Sequence, residues 1–222
     1  MKLKPLDIAR SASASDLVFE ALRQAIIEGD LAEGEPLRQD DIARHFNTSR
    51  IPVREAIARL QEHGLVRTQR YKGAVVAGLS ADEAREIFDL RALLEPEIIR
   101  DAVPRLAPAD LAEARAQCEA FNASSDAAAW GGLNRAFHDA LYRASALGYF
   151  REVADTAMNR LDRYIRAQLV LSNGQPRAAA EHLAILEACE AGEADRAAAL
   201  IRQHIEGAKE SFLAHFGGSQ PR

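Results

Sequence analysis

The sequence predicts a mainly α protein in two parts, an N-terminal winged helix-turn-helix followed by an all-α helical bundle. Three observations carry this prediction. Two short helical patterns lie close together within residues 39–63, and two β-like runs follow directly. From residue 80 onward the pattern stays helical, rich in Ala, Leu, Glu and Arg, with no convincing strand. A chain of 222 residues also has room for a second domain, since a first one of about 65–75 residues leaves roughly 140.

The elements of the first part follow from local chemistry. A helix is expected over Gln39–Phe46, then a polar turn at Asn47-Thr48, then a second helix over Arg50–His63. The runs Leu65–Gln69 and Gly73–Ala77 read as strands joined by a basic tip, Arg70-Tyr71-Lys72. In the second helix Ser49 is the expected N-cap, and Pro52 falls in the first turn, where a missing N–H costs no helical bond. Val53, Ala56, Ile57 and Leu60 repeat at helical spacing and predict one buried stripe. Arg50 and Arg54 lie together on another face near the helix N-terminus. That end of such a helix enters the DNA major groove, where arginine can grip guanine O6 and N7 together. The free N–H groups of the same end attract phosphate.

Charge agrees locally, although not in bulk. The chain carries 28 basic and 33 acidic residues, a net charge of −5. Within residues 44–72, however, Arg44, Arg50, Arg54, Arg59, Arg67, Arg70 and Lys72 face only Glu55 and Glu62, a surplus of five. A patch of this kind suits phosphate, while the acidic remainder argues against a general nucleic-acid coat protein.

The joint is expected at Ala77-Gly78-Leu79-Ser80, where Ser80 and Glu83 form an S-x-x-E capping box. Helices are predicted near 80–103, 108–123, 126–145, 148–172, 176–191 and 194–215. Pro104, Pro108, Gly148, Gly174-Gln175-Pro176 and Gly192 punctuate them, and Pro96 is expected to kink the first. The organisation is thus residues 1–78 with a short N-terminal arm, residues 79–216 as the bundle, and a flexible tail at 217–222. The polar first residues lack the apolar run of a signal peptide, and no stretch approaches the roughly 20 apolar residues of a membrane span. A cytoplasmic protein is expected. Cys118 and Cys189 sit in helical patterns without metal-type spacing, and read as buried free thiols.

Chemistry in the second part rests on histidines. Asn134 and His138 are four apart and share a helix face. His182 and His204 flank the turn at Gly192-Glu193 at nearly equal distances, so in an antiparallel hairpin both lie about 16 Å from it. His138 lies at similar depth before the turn at Leu147-Gly148. Three imidazoles and one amide oxygen can therefore converge on a divalent transition metal such as Zn, Ni, Mn or Fe. The same histidines would also serve separately, as helix caps or satisfied core groups.

A family resemblance covers most of the chain. Leu22-Arg23, Ile26, Gly29, Gly34-Glu35, Leu37, Asp41-Ile42-Ala43, Ser49-Arg50, the run Pro52-Val53-Arg54-Glu55-Ala56, Leu60, Gly64-Leu65-Val66 and Gly73 resemble the DNA-binding domain of GntR-type bacterial transcription regulators. The resemblance implies operator contacts from Arg38, Ser49, Arg50 and Arg54, with Lys72-Gly73 at a wing tip in the minor groove. Arg91 with Glu95, the run Asn134-x-x-Phe137-His138, His182 and His204 resemble the ligand-binding bundle of the FadR-type branch, the FCD domain. Metal-binding members place ligands at Asn134, His138, His182 and His204, with aspartate usual at the first; an amide there leaves the site one charge more positive.

The expected function is a homodimeric regulator of double-stranded DNA, in most relatives a repressor, that reads a palindromic operator and responds to a small organic acid. Arg91 and Arg163 are the candidate partners of that acid. For each, a surface or Glu-paired arginine is the competing and favoured reading, Arg91 pairing with Glu95 one turn on. Two competing functions are a regulator whose pocket holds no metal and a metal-dependent hydrolase. No general-base motif such as H-E-x-x-H supports the hydrolase, and the chain is not expected to be an enzyme.

Overall fold

The computed structural model describes residues 13–216, apart from the side chains of residues 128, 163, 166–168, 170, 171 and 216. The expected tail at 217–222 and most of the N-terminal arm lie outside the described residues. Two compact units divide the chain, Met1–Gly78 and Leu79–Arg222.

The first unit runs α1 (Ala14–Glu28), α2 (Gln39–His45), α3 (Arg50–Glu62), β1 (Val66–Gln69) and β2 (Gly73–Val76). A capping box starts α1. Ser13 Oγ accepts from the Asp16 N–H at 3.1 Å, and the Asp16 carboxylate accepts from the Ser13 N–H at 3.0 Å. Gly29 ends the helix in the left-handed conformation, φ 87°. The stripe Val53, Ala56, Ile57 and Leu60 is buried, as its spacing predicts, and packs with Val18, Phe19, Leu22 and Ile26 of α1. Arg59 fixes the same helix pair. Its Nη1 donates to Asp16 Oδ1 at 2.6 Å, and its guanidinium lies 4.1 Å from the Phe19 ring centroid. One arginine of the basic surplus thus serves the fold.

Asn47, at φ 49°, takes the left-handed step between α2 and α3, and the Thr48 N–H closes the turn on Ala43 O at 2.9 Å. Ser49 stands at the N-cap of α3 with extended backbone, but its side chain makes no capping hydrogen bond. The expected cap therefore fails in its side-chain part. β1 and β2 pair antiparallel from Val66 opposite Val76 to Gln69 opposite Gly73. A segment that the sequence did not suggest covers the other edge of β2. The Leu37 N–H donates to Ala74 O at 2.8 Å, the Val76 N–H to Glu35 O at 2.9 Å, and the Gly34 N–H to Val76 O at 3.0 Å.

The second unit contains α4 (Ala81–Ala102), a 3₁₀ turn (Val103–Arg105), α5 (Pro108–Ala123), α6 (Ala127–Tyr142), α7 (Gly148–Leu171), α8 (Gln175–Glu190) and α9 (Ala194–Phe216). Each expected helix is present, with ends shifted by three residues at most. Ser80 Oγ accepts from the Glu83 N–H at 3.2 Å, but the Glu83 carboxylate accepts from Arg160 Nη2 at 2.6 Å. Only half of the expected capping box forms, because a full cation across the bundle outcompetes a backbone N–H. α4 continues through Pro96 as one helix. It packs on α7 and α9, while α5 packs on α6 and α8. Phe88, Phe121, Phe137, Leu161, Ile185 and Phe212 anchor the core. Cys118 and Cys189 are buried free thiols, and burial pushes the Cys189 thiol up to about 12. No described helix is long and apolar enough to cross a membrane.

Candidate metal centre and DNA-reading face

Three helices of the second unit bring His138, His182 and His204 together. α6 contributes His138, and the α8–α9 hairpin, turned at Gly192 (φ 71°), sets His182 beside His204. Their ring centroids lie 5.0–5.3 Å apart, and one potential ligand nitrogen from each lies within 4.8 Å of the others. All three are buried. Phe137 stacks on His182 at 4.5 Å and Phe121 closes in at 4.9 Å, so packing fixes that ring.

The electrostatics are unusual for a helical core. Neither ring nitrogen of His138 or His182 has a hydrogen-bond partner among the described residues. Such orphans are rare, because each buried unpaired group costs about 1–3 kcal/mol. Burial, then His204, His182 and Arg91, hold His138 well below the ordinary imidazole range; burial and then His204 do the same for His182. Both rings are therefore neutral, with a lone pair each, the state that metal ligation requires. His204 differs. Its Nδ1 lies 2.7 Å from Glu181 Oε2, and Glu181 also lies 3.6 Å from Arg177. A carboxylate on the far nitrogen of an imidazole orients the ring and raises its basicity toward a metal.

Asn134, one turn before His138, is buried and lines a cavity of about 20 Å³ with Arg91, Arg177, Glu181 and His204. That volume suits one small ion or water. On another side His138 borders a cleft of about 420 Å³, lined also by Glu95, Arg135, Tyr142, Arg143 and Arg151. Arg91 is turned inward. Its Nε donates to Glu95 Oε1 at 2.5 Å, and Tyr142 Oη donates to Glu95 Oε2 at 2.8 Å. The pairing with Glu95 favoured by the sequence is thus present, in the core rather than on a surface. Arg163 lies on α7, and its side chain is outside the described residues.

Sequence reasoning misses Glu181, although a signal exists. Glu181 directly precedes His182, and the hairpin argument that sets His182 level with His204 sets Glu181 there too.

In the first unit Arg38 stands at the N-cap of α2, and Arg38, Ser49, Arg50 and Arg54 are all exposed. Arg50 Nε lies 3.1 Å from Asp40 Oδ1, with both side chains two-thirds exposed. Arg38 and Arg54 make no ion pair among the described residues. Lys72 and Gly73 are exposed at the tip of the hairpin, where Gly73 has φ 75°.

The family model of gntR-type bacterial regulatory proteins matches residues 14–76, and the FCD domain matches residues 86–207. The chain belongs to the GntR family. The uncharacterized HTH-type transcriptional regulator BphR of Paraburkholderia xenovorans (strain LB400) is 30% identical over 96% of this chain and 90% of its own length. The HTH-type transcriptional repressor GlaR of Escherichia coli (strain K12) is 27% identical, over 84% and 90% of the two chains. Among solved structures, E. coli McbR/YncC superposes with a TM-score of 0.81 over 93% of this chain and all of that one; at 21% identity it speaks for the fold alone. This GntR protein is accordingly a DNA-binding transcriptional regulator and not an enzyme.

Proposed function

We propose that this GntR regulator binds a palindromic operator as a homodimer, represses there, and lets go when a small organic acid enters a metal-containing site in its helical unit. The observation that carries the metal is the set of buried, unpartnered nitrogens on His138 and His182. His138, His182 and His204 would hold the ion, with the Asn134 amide oxygen as a fourth donor. Three imidazoles suit Zn, Ni, Mn or Fe. When bound, such an ion supplies a Lewis-acidic centre that favours a carboxylate oxygen. With Glu181 accepting at His204 Nδ1, the lone pair on Nε2 would be the one offered to the ion. Arg91 adds fixed positive charge beside it, and Arg163 on α7 is assigned to the acid's second polar end. GlaR, named a repressor, supports the sign of regulation.

On the DNA side, Arg50 and Arg54 read the major groove, Arg38 and the uncapped Ser49 hydroxyl hold phosphates, and Lys72-Gly73 follows the minor groove. Two-fold subunits favour two-fold operators. Acid binding shifts operator affinity only by its differential affinity for the DNA-competent and DNA-incompetent dimers. The protein acts where the chromosome lies, in the cytoplasm.

Elemental analysis of untagged protein tests the metal. One ion per chain is expected, and none in a His138→Ala/His204→Ala variant. Protein that stays metal-free after incubation with Zn, Ni and Mn refutes the site, and leaves the regulator intact. Replacing Glu181 by Ala is expected to weaken metal binding about 10–100-fold, measured by competition with a chromophoric chelator. Unchanged affinity would remove Glu181 from the site.

A further inference from the structure

Ile51 belongs to neither hydrophobic core. It occupies the second position of α3, between Arg50 and Pro52, and is 59% exposed, whereas Val53, two residues on, is fully buried. Single exposed apolar residues are common on surfaces. This one differs in its neighbours. At 100° per residue, Ile51 projects about 60° from Arg54 and about 40° from Glu55 around the helix axis. Arg54 has no ion pair among the described residues, and Arg50, one step before, is held only by the exposed Asp40. A branched apolar group thus stands in the first turn of the helix, about 60° around the axis from Arg54 and about 100° from Arg50.

The major groove offers one apolar feature, the C5-methyl of thymine. Resting on the reading of α3 as the groove-entering helix, we propose that Ile51 reads a thymine methyl beside the guanine gripped by Arg50 or Arg54, and so fixes a thymine in each operator half-site. The branched chain is stiff about χ1, so little freedom is lost on contact. The contact needs no hydrogen bond, and cytosine, which lacks the methyl, leaves an apolar group facing a polar edge.

Deoxyuridine differs from thymidine only by that methyl, which makes the test specific. Duplexes are selected from a randomised library by the purified chain, and each thymine of the selected sequence is replaced in turn by deoxyuridine. One thymine per half-site is expected to be sensitive, its replacement weakening binding roughly fourfold, the factor a buried methyl is worth. Ile51→Ala, at an exposed position, is expected to keep the native circular dichroism and to bind the thymine and uracil duplexes equally. Selection of a sequence in which no thymine methyl matters overturns the inference alone. So does an Ile51→Ala protein that still discriminates. Failure to select any sequence overturns the inference together with the DNA reading on which it rests.

Discussion

A transition metal at a thousandfold excess over its dissociation constant is expected to stabilise the helical unit by about 4 kcal/mol, the linkage for a ligand that binds only the folded state. The pocket supplies the reason. His138 and His182 are held rigid and neutral, with lone pairs that nothing else uses, so folding has already met the cost of gathering them. The readout is local as well. Trp130 is the chain's only tryptophan, lies on α6, and donates its indole N–H to Ser124 O at 3.0 Å. Its fluorescence during urea unfolding therefore follows this unit. Zinc should move the midpoint upward relative to chelator in the parent, and have no effect in His138→Ala/His204→Ala. Superimposable curves for the parent with and without zinc, and again with nickel and manganese, would discard the metal.

The same two rings set a pH dependence in the metal-free chain. In the unfolded state each histidine takes up a proton as pH falls through about 6.5. In the folded state burial holds both well below that value, so the folded chain binds fewer protons. Stability is therefore level above about pH 6.5 and falls below it, by up to about 1.4 kcal/mol per pH unit for each ring. Bound metal competes with the same protons, so its stabilisation should also shrink as pH drops below that point. A chelated protein whose urea midpoint did not fall between neutral and mildly acidic pH would show that the rings pick up protons without unfolding.

Much of this arrangement is legible in the sequence because periodicity is a local property. The stripe from Val53 to Leu60 and the prolines and glycines between later helices place the elements to within about three residues. The level of His182 and His204 needs only helical rise and one turn at Gly192. What escapes is decided by partners distant in sequence. The pairing of residues 34–37 with β2 is invisible locally, since Gly34 and Pro36 argue against a strand and only the neighbouring edge makes one. Glu83 looks committed to Ser80 until Arg160, on another helix, reaches it. Arg59 counts among the DNA-facing charges by position, yet Asp16 and Phe19 take it up. Arg91 with Glu95 is readable as a pair, but its burial is not, because it depends on Tyr142 closing over the carboxylate. The position of Glu181 follows from the hairpin; its choice of His204 as partner follows only from how α8 and α9 pack.

Arg54→Ala is expected to weaken specific operator binding by about 1–3 kcal/mol, roughly 5- to 150-fold, and to relax the preference at one base pair. Among the arginines of this face Arg54 gives the cleanest measurement. Arg59 is tied to α1, so removing it would disturb the fold. Arg50 must first leave Asp40, although an exposed pair of that kind holds it by only about 0–1 kcal/mol. Arg54 is exposed and unpaired among the described residues, so truncation removes no internal contact and the unfolding curve should not move. A phosphate contact would behave differently, weakening all sequences alike and lowering the salt dependence of binding. Comparing selected duplexes with the guanine of each half-site replaced separates the two: a base-reading Arg54 makes the variant indifferent to one replacement that the parent resists. Equal affinities for parent and variant, with the same base preferences, would take Arg54 out of the operator interface and turn attention to Arg50 and Arg38.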